Sequence, residues 1–125
     1  MLNNLLKDVT SIYIAYGVTD FRKQIHSLCT MIQSKYKMNP YEKAAYIFCN
    51  KKRNSIRVLC YDKNGFVLAQ KTLLESNNMK FQWPRNSEEL KSITKEQLSW
   101  LLSGLKIYQD KCFKEIKIDN ENTAI

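Results

Sequence analysis

Histidine is nearly missing from this chain: His26 is the only one among 125 residues. A zinc site would then need an unusual ligand set, and neither a metal nor another cofactor is expected. Cysteine is sparse too. Cys29, Cys49, Cys60 and Cys112 stand far apart, form no C-x-x-C pair, and the first three fall at apolar positions of predicted elements. They read as buried free thiols of a reducing compartment. No uncharged apolar run approaches the roughly 20 residues of a membrane-spanning helix. The start, Met-Leu-Asn-Asn-Leu-Leu-Lys-Asp, has neither a basic n-region nor a long apolar h-region, so a soluble, cytoplasmic protein is expected, with no membrane partner. Repeats and domain linkers are also absent. One domain over 1–125 is expected, and the length suffices for one core.

Carboxylates are scarce in the first half. Residues 1–65 hold eleven Lys/Arg against four Asp/Glu, whereas residues 66–125 hold nine against eight. Almost all of the formal charge of +8 therefore lies in the first half. Frequent lysine and asparagine also fit an AT-rich genome, which accounts for part of the lysine excess.

The densest group of cations is Lys51-Lys52-Arg53, a short loop between the apolar runs 46–49 and 55–61, with Arg57 inside the second run. Adjacent cations at a hairpin tip can neutralise phosphates, and binding of that kind is strongly salt-dependent. A tip that is merely solvated is the bland alternative. By strand alternation Ile56, Val58 and Cys60 share one face, expected to be the core face under the long helix, and Arg57, Leu59 and Tyr61 the other.

Elements follow from periodicity and punctuation. Residues 12–16 read as a strand ended by Gly17, and Thr19-Asp20 as an N-cap signal before a helix over about 21–37. Its apolar face is Ile25, Leu28, Cys29, Ile32 and Tyr36, and Asn39-Pro40 stops it. Strands at 44–49, 55–61 and 66–73 form an antiparallel meander, the last pair joined by a turn at Asp62-Lys63-Asn64-Gly65. Residues 79–83 suggest a fifth strand before Pro84. Thr94-Lys95-Glu96-Gln97 fits a capping box for a helix with Leu98, Leu101, Leu102 and Leu105 on one face and Gly104 as C-cap. Residues from about 113 to 125 read as a mobile tail. The fold class is α+β: a four- to five-stranded antiparallel sheet packed by a long helix after strand one and a shorter C-terminal one.

Arg22 and Lys23 would sit in the first helical turn, where cations oppose the macrodipole. Pairing with Asp20 or contact with phosphate would offset that. Phe81, Trp83 and Arg85 combine aromatics with a cation, an arrangement that stacks unpaired bases, though core packing is the commoner role. Trp100 lies off the leucine face, at the core's edge or against a partner. Catalysis finds little support. A metal nuclease needs converging carboxylates. Asp20 and Asp62 alone edge well-predicted elements, and they would have to approach one ion; Glu89-x-Lys91 and Glu115-x-Lys117 lie in no predicted strand. No enzyme activity and no small-molecule substrate are expected.

In order along the chain, Gly17-Val-Thr-Asp-Phe-Arg-Lys23, Tyr46-Ile-Phe with the basic tip, Ile56-Arg-Val-Leu-x-Tyr-Asp62 with Gly65, Lys80-Phe-Gln-Trp-Pro84 and Ile93-Thr-x-x-Gln-Leu-x-x-Leu-Leu-x-Gly-Leu105 resemble the accessory protein TnpB of IS-sixty-six-type insertion sequences. The resemblance covers roughly residues 9–106. It implies a small non-catalytic protein needed for efficient transposition beside a separate transposase, with DNA binding or contact with the transposase as its task. The family offers no established active site. It marks Thr19, Asp20, Arg22, Lys23, Arg53, Arg57, Asp62, Trp83 and Pro84 as hallmark positions without roles. Gln24 stands where the family commonly has glycine, and Tyr61 where it has tryptophan. The expected partner is DNA, contacted at phosphates by Arg22, Lys23, Lys51, Lys52, Arg53 and Arg57. The alternative is an adaptor for the transposase or for self-association, with an exposed apolar patch around Trp83 and Trp100.

Overall fold

A computed structural model describes residues 2–74 and 78–109. The expected tail, Cys112 and the Glu115–Lys117 pair lie outside those residues. The elements are α1 (Leu2–Leu5), β1 (Ser11–Ala15), α2 (Ile25–Ser34), β2 (Ala44–Cys49), β3 (Ser55–Asp62), β4 (Gly65–Thr72), β5 (Leu90–Ile93) and α3 (Lys95–Leu102). The strands form one five-stranded sheet in the order β4-β3-β2-β1-β5.

The sheet is mixed, not antiparallel throughout. β1 runs parallel to β2, with Ser11 opposite Ala44 and Ile14 opposite Ile47. The reason is the connection: a strand leading through a helix into its neighbour forms a crossover, and a crossover returns the chain in the same direction. The meander β2-β3-β4 is antiparallel, as expected. The fifth strand is β5, antiparallel to β1 with Ile12 opposite Ile93. Residues 79–83 form no strand of the sheet; Phe81 and Trp83 turn inward instead, 1% and 4% exposed.

Both faces of the sheet are covered. Every residue of β2 is buried. Ala45, Ile47 and Cys49 point into a cluster with Ile56, Val58, Cys60, Phe81, Trp83 and the α3 leucines Leu98 and Leu101. Ala44, Tyr46 and Phe48 point into another, with Leu59 and the α2 residues Leu28 and Ile32. Each large apolar side chain so enclosed contributes roughly 1.5–3 kcal/mol. The grouping of β3 side chains by alternation holds, but the faces are exchanged relative to expectation. Ile56, Val58 and Cys60 lie under α3 and the 81–83 segment, and the face bearing Arg57 and Leu59 lies under the longer helix α2.

The helix α2 begins at Ile25, after Gln24 in extended conformation, and ends at Ser34, so it is shorter at both ends than the spacing predicts. Its apolar face is the expected one, since Ile25, Leu28, Cys29, Ile32 and Tyr36 all join the α2-side cluster. The α3 capping box forms as predicted: Gln97 N–H donates to Thr94 Oγ1 at 3.0 Å, and Thr94 N–H donates to Gln97 Oε1 at 2.9 Å. Gly104, at φ +87°, closes the helix. The Leu105 N–H reaches back to Trp100 O and the Gly104 N–H to Leu101 O, the paired bonds of a Schellman motif. Leu105 itself is 46% exposed and drops out of the predicted core face. Among the described residues no helix is long and apolar enough to cross a membrane.

Candidate nucleic-acid interface

The β2–β3 tip is built by Asn50. Its side-chain oxygen accepts from the Asn54 and Ser55 N–H groups, and its amide nitrogen donates to Asn54 Oδ1 at 2.7 Å. That network closes the loop around Lys51 and Lys52 and leaves both lysines exposed. Arg53 completes the loop in the left-handed region at φ +60° and is half-buried. Neighbouring chain anchors the tip from outside: Leu73 N–H donates to Asn54 O at 2.8 Å and Phe81 N–H to Arg53 O at 2.7 Å. Lys80 Nζ donates to Lys52 O at 3.1 Å, which adds a cation that the sequence reading did not count. Its signal was the Lys80–Pro84 motif.

The segment after β1 arrives beside this tip. Thr19 is buried and its N–H donates to Cys49 O at 2.8 Å, so the end of β2 fixes the loop. Gly17 makes the exit possible. It sits at φ +83°, and a Cβ there would meet Ser87 O at 3.3 Å. Its N–H donates to Pro84 O at 2.9 Å. Asp20 does not cap the helix. Its carboxylate accepts from the Arg22 N–H at 2.9 Å and binds the Arg22 guanidinium in a fork, with Nη2 at 2.7 Å from Oδ2. The Arg22 guanidinium, through hydrogen bonds and charge, holds the Asp20 carboxyl down at about 2. Arg22 and Lys23 thus precede α2 rather than opening it.

Arg57 is spent internally. From strand β3 its Nε donates to Gln70 Oε1 at 2.7 Å, and its Nη1 donates to Phe21 O at 2.9 Å and Lys23 O at 3.0 Å. The guanidinium carbon lies 4.4 Å from the centre of the Phe21 ring. It straps the 20–23 turn onto the sheet. This follows from its place on the α2 face, where the turn crosses β3.

The loop and the tip therefore enclose one open depression of about 930 Å³, whose rim carries Arg22, Lys51 and Lys52. Asp20 is the one carboxylate among its lining residues, and Arg22 already neutralises it. Asp62 lies elsewhere. It ends β3, whose first residue, Ser55, lines the depression, so roughly 23 Å of strand intervenes. Asp20 and Asp62 cannot share a metal ion. Trp83 is a core residue, its Nε1 donating to Ala15 O at 2.8 Å, so the apolar patch expected around it is not at the surface. Trp100 is half-buried. Burial pushes the thiols up, Cys49 to about 12 and Cys60 to about 11, as inert interior cysteines require. Cys29 is only half-buried, on the α2 side.

Comparison with known proteins gives this arrangement a context. The sequence profile of IS66 Orf2-like proteins matches residues 10–112. The uncharacterized protein y4hO of Sinorhizobium fredii (strain NBRC 101917 / NGR234) is 32% identical over 94 residues, which cover 75% of this chain and 79% of that protein. No solved structure matches. The chain belongs to the IS66 Orf2-like family, which associates it with an insertion sequence.

Proposed function

We propose that this chain is a non-catalytic accessory factor of its insertion sequence and acts by binding DNA through phosphate contacts. The contacts come from Lys51, Lys52 and Arg53 at the hairpin tip and from Arg22 and Lys23 in the adjoining turn. Arg57 positions that turn and does not reach the phosphates. The observation that carries this reading is the pair of exposed lysines, Lys51 and Lys52, on one open depression whose single lining carboxylate, Asp20, is neutralised by Arg22. Exposed cations around a shallow surface suit a charged backbone better than a small substrate, which would need an enclosed pocket.

The test is a salt titration of binding to the element's terminal DNA and to random duplex. Replacing Lys51, Lys52 and Arg53 together by alanine should lower the salt slope by up to about 3 units on both DNAs. An unchanged slope removes the tip from the interface.

The adaptor reading has its own observation, at the other end of the sheet. Tyr41 is 56% exposed, and its ring lies 5.1 Å from Tyr61 and 5.3 Å from Phe66. An exposed aromatic group of this kind suits a protein partner such as the transposase. Pull-down with the transposase after nuclease treatment separates the two readings, since a complex that survives the nuclease favours the adaptor.

A further inference from the structure

The hairpin tip has a second flank. On the α3 side of the sheet, Arg53 forms one wall of a separate cleft of about 560 Å³, with Arg85 and Lys106 elsewhere on its lining. No carboxylate lines it, and none of these three cations is in an ion pair among the described residues. The cleft also has an exposed ring: Tyr108 is 71% exposed, with its hydroxyl bonded to Tyr16. Phe81 and Trp83, the aromatics that the sequence suggests for stacking, are interior. Tyr16, buried at the cleft, is pushed up to about 12 by burial, by the neighbouring Tyr108 hydroxyl and by the nearby Glu89 carboxylate. Gln82 and Asn86 supply amide donors and acceptors on the exposed lining.

We propose that this cleft seats an unstacked nucleotide of single-stranded DNA, with Tyr108 as the stacking platform and Arg53, Arg85 and Lys106 as phosphate contacts. The proposal rests on the reading of the protein as a DNA-binding factor and adds a preference for DNA with an unpaired strand. Two features distinguish the cleft from the duplex-facing depression across the tip, and a third joins the two. It is the smaller of the two, about 560 Å³ against about 930 Å³, a size suited to a single base. It offers an exposed aromatic face, which paired bases cannot use and unpaired ones can. It also shares the tip with the depression, since Lys51 and Lys52 line one and Arg53 the other, so a strand leaving a duplex meets cations continuously.

The test is fluorescence anisotropy on the full chain, with a short oligothymidylate, an oligouridylate of equal length and a duplex of equal length. Tyr108→Ala should weaken oligothymidylate binding about 5- to 160-fold, while Tyr108→Phe keeps it and duplex binding is unchanged in both. Arg85→Ala with Lys106→Ala should lower the single-strand salt slope by about 1.4 units. Tyr108 is exposed, and Tyr108→Phe, which loses only the hydroxyl bonded to Tyr16, isolates that contact from stacking. Oligothymidylate binding that ignores Tyr108→Ala overturns the proposal. So does a wild-type chain that binds duplex but not oligothymidylate, an outcome that leaves the duplex reading standing. Binding to neither overturns both, and tighter binding to oligouridylate replaces DNA by RNA as the occupant.

Discussion

Arg57 and Lys51 belong to the same hairpin and carry the same charge, yet the fold uses them in opposite ways. Arg57 projects from the strand onto the α2 face, where two backbone carbonyls and Gln70 take up its donors. Lys51 projects from a loop closed by Asn50 and anchored from outside by Leu73, Lys80 and Phe81, none of which bonds to its side chain, and it stays in water. A count of cations cannot tell these apart. What separates them is whether the backbone around them still has carbonyls to satisfy, and that depends on which chain segment crosses overhead.

The contrast is broken most directly at Arg57. Arg57→Ala should cost about 2–3 kcal/mol of stability in urea unfolding, because charged hydrogen bonds to Phe21 O and Lys23 O are lost together. Lys51→Ala should cost no more than about 0.5 kcal/mol. Equal losses would erase the distinction. Arg57→Lys keeps the charge but not the geometry that reaches Gln70 and both carbonyls at once, so it should recover less than half of the loss.

Trp83 and Tyr108 sharpen the same contrast among aromatics. Trp83→Phe removes the bond from Nε1 to Ala15 O inside the core and should cost about 1–2 kcal/mol, whereas Tyr108→Ala should fall within about 0.5 kcal/mol of wild type. Arg53 lies between the categories. Its left-handed backbone is strained for arginine, so Arg53→Gly should stabilise the fold by up to about 1 kcal/mol while weakening DNA binding. A fall in stability would mean that the Arg53 side chain is itself an anchor.

The smallest effect is at acid pH. The Asp20 carboxyl is held down at about 2, below its ordinary 3.8, so its pairing with Arg22 supports the fold fully above about pH 4 and is lost as pH falls through about 2. In Asp20→Asn that part of the acid transition should disappear. A profile identical to wild type would show that the fork contributes nothing measurable, as is common for exposed pairs.

Much of this was readable from residues. The α2 face, the meander, the capping box and Gly104 follow from local spacing and hydrogen-bond chemistry, and they form as expected. What failed was non-local. The uninterrupted apolar run Ala44-Ala-Tyr-Ile-Phe-Cys49 signals a strand buried on both faces, and a helix between β1 and β2 signals a parallel pair. Both signals put Arg57 on a covered face, against the open face that strand alternation alone suggests. β5 was missed because Leu90-Lys-Ser-Ile93 shows little alternation and exists by pairing with β1. The cations of the tip were legible as a group. Their division between two clefts was not, because it depends on the 17–23 loop and the 81–86 segment arriving on opposite sides.

The central claim is that the tip lysines bind phosphate while Arg57 only positions the turn beside them. It is tested most directly by the salt dependence of duplex binding in Lys51→Ala/Lys52→Ala, measured alongside its thermal midpoint. The account predicts a slope lowered by about 2 units with the midpoint unchanged. An unchanged slope in a folded protein would contradict it.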